Sequence, residues 1–319
     1  MRLLSLTNTN ERWQKIMNES IRNYMKVGLI HFMAYPSVIK GEGPIEETFR
    51  KIALDDYFEV AEITWIKDAT ARKNVKKMIE TSHMEVAYGG QPLLLTTGLN
   101  INDLDETGRQ KAVAALKAGI DEAYEMGAVG FAFLSGKYPL DKEEEAYAAL
   151  VASTRELCSY AKSKGSMKVA LEVFDYDVDK KSLIGPVNLA RRYAAQICAE
   201  YDNFGLMVDL SHLPLLHETA EQSLRPVKDF IIHAHMGNCV VRDESLPGYG
   251  DAHPRFGFPG GENDIAELTE YLRVLLSIGF LNKEKRPIVS FEVKPFGDED
   301  PDLVIAGAKR VLNLAWEKV

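Results

Sequence analysis

The stretch FIIHAHMGN, residues 230–238, is an apolar run that finishes on two histidines one residue apart and then a glycine. Side chains alternate across a β-strand, so His233 and His235 share one face, and two imidazoles on an otherwise apolar strand need a partner or a metal there. What lies on that side depends on how many such strands the chain holds. Seven more short apolar runs can be read: KVGLIHFMAY (26–35), FEVAEITWI (58–66), MEVAYGG (84–90), AVGFAFLSG (128–136), KVALEVFDY (168–176), FGLMVDLSH (204–212) and PIVSFEVKPF (287–296). Between them run longer segments of helical period, such as ETGRQKAVAALKAGIDEAYEMG and EEEAYAALVASTRELCSYAKSKG, each closed by glycine as a helix end would be. Strands alternating with helices eight times predict an α/β fold, a (β/α)8 TIM barrel. A doubly wound dinucleotide fold would place a glycine fingerprint after its first strand, and HFMAYPSVIKGEG has no GxGxxG.

The barrel domain is expected over residues 26–319. Residues 1–25 precede the first strand and include NERWQKIMNESIRNYM, which reads as an extra N-terminal amphipathic helix, a flap over the barrel's N-terminal face or an oligomer contact. The segment VVRDESLPGYGDAHPRFGFPGGEND (240–264) is rich in Gly and Pro, and loops of this length in compact domains commonly serve function. Its aromatics Tyr249, Phe256 and Phe258, with His253 and Arg255, give it contact area as a lid or a partner-facing surface.

Composition narrows the chemistry. The 319 residues carry 46% hydrophobic and 27% charged side chains and a formal net charge of -9, with no basic block, which disfavours nucleic acid and anionic membranes as partners. Three widely spaced cysteines, Cys158, Cys198 and Cys239, form neither a disulfide framework nor a zinc ribbon. No run approaches the ~20 apolar residues of a membrane span, and the first residues lack the apolar centre of a signal peptide, so a cytoplasmic location is expected.

In a barrel of this kind, polar residues at the C-terminal strand ends read as chemistry. Glu172 follows KVAL, Asp209 follows GLMV, His235 follows IIHA and Glu292 follows IVSF, four donors on four successive strands. One acid at a strand end is commonly only a cap. Three carboxylates and an imidazole at one mouth suit a divalent ion, Mn2+ first, with Mg2+ or Co2+ as alternatives, because burying them together without a cation would force large pKa shifts. His233, deeper on the same face, reads as a hydrogen-bonding residue beneath the ligands. His212 in DLSH leans over the mouth or caps a loop, and His31 near the end of the first strand faces either core or substrate.

This order, Glu172, then Asp209 in D-x-x-H, then His235 with Arg242 shortly after it, then Glu292, resembles the sugar phosphate isomerase/epimerase family with its xylose-isomerase-like barrel, in particular the ketose 3-epimerase branch. The resemblance implies that one divalent metal is held by Glu172, Asp209, His235 and Glu292. It implies catalytic roles for Glu172 and Glu292, which move protons on opposite faces of a metal-stabilised enediolate, and for His212. It places His212 and Arg242 on substrate oxygens, and His31 and His253 are further candidates for substrate contact. The implied reaction is isomerisation or epimerisation by proton abstraction beside a carbonyl. The chain departs from the epimerases in a longer segment between His235 and Glu292, and in Asp175 and Lys294 beside the two glutamates.

A similar metal site serves the catalytic subunit of C-glycoside deglycosidases, carbon–carbon lyases on 3-oxo-C-glycosides that work with a small β-rich partner subunit, and the 240–264 aromatics would then cover a flat aglycone. The expected ligands are thus a sugar or glycoside, and the expected assembly is a homo-oligomer or a hetero-oligomer with that subunit. Endonuclease IV resembles the same barrel family, but its grip on DNA does not suit a charge of -9. The absence of a Gly-rich cradle after the seventh or eighth strand points to a non-phosphorylated substrate.

Overall fold

The structure, a computed structural model, describes residues 19–319. Eight parallel strands close into a barrel in sequence order, β1 (Lys26–Ile30), β2 (Val60–Ile63), β3 (Glu85–Gly89), β4 (Gly130–Leu134), β5 (Lys168–Glu172), β6 (Phe204–Asp209), β7 (Ile231–Gly237) and β8 (Ile288–Glu292), with β8 pairing back onto β1. Each of the eight apolar runs contains one strand. The strands are shorter than the runs because the chain turns away into loops above the barrel: KVALEVFDY stops being strand at Glu172, and KVGLIHFMAY enters a helical turn at His31. Most of the helix expected over residues 10–25 falls outside the described residues; residues 21–23 form a single 3-10 turn capped by Ser20.

Helices cover the barrel as the periodicity predicts. Glu106–Met126 starts on the Asp105 side chain, which accepts the N–H groups of Thr107 and Gly108, and stops at Gly127, whose φ of 76° is a conformation glycine adopts without penalty. The main core lies between strands and helices, where Tyr88, Phe131, Phe133 and Phe291 are fully buried. The barrel's lower interior is filled differently, with Ala132, Ala170 and Met207 forming a separate small cluster. A cavity of about 230 Å³ remains there beneath Glu62 and His233.

One irregularity positions the site. The β6–β7 pairing slips by one residue between Leu206 and Met207, so that Leu206 faces Ile231 but Met207 faces His233 and Asp209 faces His235. An unbroken register would set Asp209 opposite Ala234. The extra residue, Ile232, is thus what brings His235 level with the acid on β6 and His233 level with Met207. All three cysteines are free, with Cys158 and Cys239 buried. Among the described residues no helix is long and apolar enough to cross a membrane.

Candidate metal and substrate site

Glu172, Asp209 and Glu292 are the last residues of β5, β6 and β8, and His235 lies near the end of β7. Each offers one donor atom, and those four atoms lie within 4.8 Å of one another. His235 Nδ1 is 3.2 Å from Glu172 Oε1 and 2.9 Å from Glu292 Oε2. Asp209 accepts the Ser211 N–H through Oδ1, at 2.7 Å, while its buried Oδ2 has no hydrogen-bond partner. Gly237 makes room for the group: a Cβ there would come within 2.8 Å of the Glu292 carbonyl oxygen and 3.2 Å of His253 Nδ1.

This donor set fits a divalent cation. Three buried carboxylates converge on one imidazole, and one carboxylate oxygen, Asp209 Oδ2, is buried without a partner, which is costly unless a cation satisfies it. Burial pushes the Glu292 carboxyl up to about 7, although His253 and His235 pull the other way. His235 is raised well above its ordinary value, burial being outweighed by Glu62 and by hydrogen bonds to Glu172 and Glu292. Protonation of these groups is how such a cluster compensates when its charge is not met by an ion.

Above the donors sits a cavity of about 200 Å³. Its polar floor includes Glu62, Gln91, Lys180, His253 and Lys294, and one wall is apolar, formed by Phe32, Met33, Ile39, Pro92 and Leu95. Gln91, just past β3, donates from Nε2 to Glu172 Oε2 at 2.7 Å, fixing that carboxylate's orientation. Asp175 folds the loop after β5: its carboxylate accepts the backbone N–H groups of Val178, Asp179, Lys180 and Lys181. That loop delivers Lys180 Nζ to Asp251 Oδ2 at 3.0 Å.

Asp251 is the hub of a second buried network. Its Oδ1 accepts from His212 Nε2 at 3.0 Å and pairs with His253 Nε2 at 2.8 Å. Burial would raise this carboxyl, but His253, Lys180 and His212 hold it well below the usual range. His253 has φ of 53°, a left-handed conformation uncommon for a non-glycine residue and concentrated at functional sites. Burial opposes its protonation, yet Glu292 and Asp251 raise it to about 9. Its Nδ1 is buried without a hydrogen-bond partner, 3.8 Å from Asp209 Oδ2.

The expected substrate contacts divide. His253 lines the cavity. His212 is buried beside it with both ring nitrogens engaged, Nδ1 with the Val173 carbonyl at 2.8 Å and Nε2 with Asp251, so it supports the network from behind the mouth. His31 turns into the core and bonds Thr48 Oγ1 at 2.8 Å; burial lowers it to about 3. Arg242 does not reach the mouth, because its side chain is 79% exposed and pairs with Glu262. The aromatics of residues 240–264 do not line the cavity either: Phe256 packs on Phe291 and Phe258 on Phe296. That segment is pinned, with Asn238 holding Asn263 N and the Arg255 carbonyl, and it contributes Asp251, Ala252 and His253 instead.

Fold and site together define a (β/α)8 barrel with a cation-type donor set at its C-terminal mouth. A family model for the xylose isomerase-like TIM barrel matches residues 51–312, and the chain belongs to that family. Among solved structures, the IolI protein with a bound zinc atom superposes with a TM-score of 0.71 at 17% identity, over 92% of this chain and 99% of that one. D-psicose 3-epimerase from Clostridium cellulolyticum H10, crystallised with D-tagatose, gives 0.62 at 16% identity over 92% and 96%. The 3-keto-D-glucoside 4-epimerase YcjR from E. coli gives 0.62 at 18% identity over 92% and 99%. No curated protein matches the sequence.

Proposed function

We propose that the protein is a divalent-metal-dependent sugar isomerase or epimerase that removes a proton beside a carbonyl. The observation that carries this reading is the convergence of Glu172, Asp209, His235 and Glu292, with an orphaned Asp209 oxygen, where three of the four, Glu172, His235 and Glu292, line a cavity about the size of a small ligand. Those four residues would hold one ion, and the ion, when bound, supplies positive charge to the substrate oxygens on which negative charge develops as the proton leaves. Glu172 and Glu292 are the proton-moving groups. Gln91 orients the first through its Oε2, and His253 Nε2 lies 3.3 Å from Oε1 of the second. His253, with Asp251 and Lys180 behind it, takes the substrate-orienting role that the resemblance gave to Arg242.

The neighbours named for ketose and keto-glucoside epimerases support a sugar as the substrate class. One feature favours the second reading, a carbon–carbon lyase acting on oxidised glycosides: the apolar wall of Phe32, Met33, Ile39, Pro92 and Leu95 offers nothing to sugar hydroxyls but fits an apolar substituent. Incubation with free ketoses, sugar phosphates and 3-oxo-glycosides in D2O, with products followed by mass spectrometry, tests both. Deuterium at the carbon beside the carbonyl of a re-formed sugar supports the isomerase, release of an aglycone supports the lyase, and no turnover of any of these by the metal-loaded protein counts against both.

A further inference from the structure

Glu62 sits one residue before the end of β2 and is buried, with 2% of its surface exposed. Its Oε1 lies 2.7 Å from His233 Nε2, and its two oxygens lie 3.2 and 3.3 Å from His235 Nε2. One carboxylate therefore ties together the two histidines that the β6–β7 slip has turned inward. The consequence for His235 is directional. A carboxylate only accepts, so Nε2 of His235 must be the protonated nitrogen, and the nitrogen left to act as a donor of electrons is Nδ1. Nδ1 is the atom that faces Glu172 and Glu292. A proton-free Nδ1 beside carboxylate oxygens is repulsive unless a cation lies among them.

We infer that Glu62 is a positioning residue: clamped by His233, it fixes the ring and tautomer of His235 so that Nδ1 is held ready as a cation ligand. His233 holds Glu62 through this bond and also packs edge-on against the His235 ring, centroids 5.1 Å apart, while its other side opens to the lower-barrel cavity. The inference rests on the metal reading given above and goes beyond it in assigning the side chains beneath the ligands.

The test is calorimetric titration of Mn2+ and Co2+ into metal-stripped wild type, Glu62→Ala, His233→Ala and the double variant, with circular dichroism to establish folding. Loss of a carboxylate behind a ligand histidine costs roughly 10–100-fold in metal affinity, and Glu62→Ala is expected in that range. His233→Ala is expected to lose less, and the double variant no more than Glu62→Ala alone. In the Co2+-loaded wild type, proton NMR should show one exchangeable, paramagnetically shifted signal from the His235 Nε2–H, slow to exchange because Glu62 holds it. The signal should be lost to exchange in Glu62→Ala. Should Glu62→Ala fail to fold, Glu62→Gln carries the test: it keeps an oxygen acceptor, so its signal persists but exchanges faster, with a smaller loss of affinity. Wild-type affinity and an unchanged signal in the folded variants would overturn the role of Glu62, and additive losses in the double variant would overturn the clamp. A wild type that binds neither ion would instead remove the metal reading itself.

Discussion

Asp251 Oδ1 lies 2.8 Å from His253 Nε2, pairing a buried carboxylate with a histidine of left-handed backbone conformation that sits 3.3 Å from Oε1 of Glu292, the last residue of β8. Two more cations, Lys180 and His212, meet the same carboxylate. Asp251→Asn keeps the shape but removes the charge that orients His253. We expect a rise in KM larger than the fall in kcat, with bound metal still near one ion per chain, measured by steady-state kinetics and elemental analysis. Loss of metal in that variant would place Asp251 among the cation's own supports.

Glu172→Gln and Glu292→Gln separate ligation from proton transfer. An amide still offers an oxygen to a cation but does not accept the substrate's proton, so each variant should lose at least about 100-fold in kcat under saturating metal, in line with the usual contribution of a general base. Solvent deuterium wash-in measures the step. Full wash-in by both variants would leave these carboxylates as ligands only.

Arg242→Ala should change KM and kcat less than twofold, since the side chain lies in solvent with Glu262 as its partner. A tenfold rise in KM would mean that the loop carries this residue to the mouth when substrate binds.

His31 gives a pH dependence unconnected with the metal. Burial lowers its folded pKa to about 3, against about 6.5 unfolded. The unfolded chain therefore binds the extra proton first as pH falls. Stability is unaffected above the unfolded value, declines by ~1.4 kcal/mol per pH unit below about 6.5, and stops declining near the folded value. His31→Gln, which keeps a partner for Thr48, should flatten that part of the acid limb in urea unfolding between pH 7 and 5. An unchanged slope would show that other groups set it.

The barrel and its four donors were legible because the strands are laid out one after another in the sequence and all deliver their C-terminal ends to one mouth. Glu62 carried the same signal within FEVAEITWI, but the apolar ITWI that follows it disguises the strand's end, and only the structure shows it beneath His235. Gln91 stands just after MEVAYGG, where a neutral side chain gives no charge to notice. Asp251 and Lys180 were not readable at all, since their meeting depends on how two irregular loops fold against each other. Arg242 misled for the complementary reason: closeness in sequence to His235 says nothing about direction once the chain has left the strand.

The backbone N–H of Lys294, just beyond β8, donates to the His253 carbonyl at 2.7 Å. Through that bond the inner end of the long loop is fastened to the strand that ends in Glu292, while residues 241–248 hang outside the fastening. The outer arc can therefore be exchanged, lengthened or reshaped as a module, by evolution or by design, and His253 will still arrive over Glu292. The end of the connection that meets the cavity is thereby anchored independently of the arc that does not.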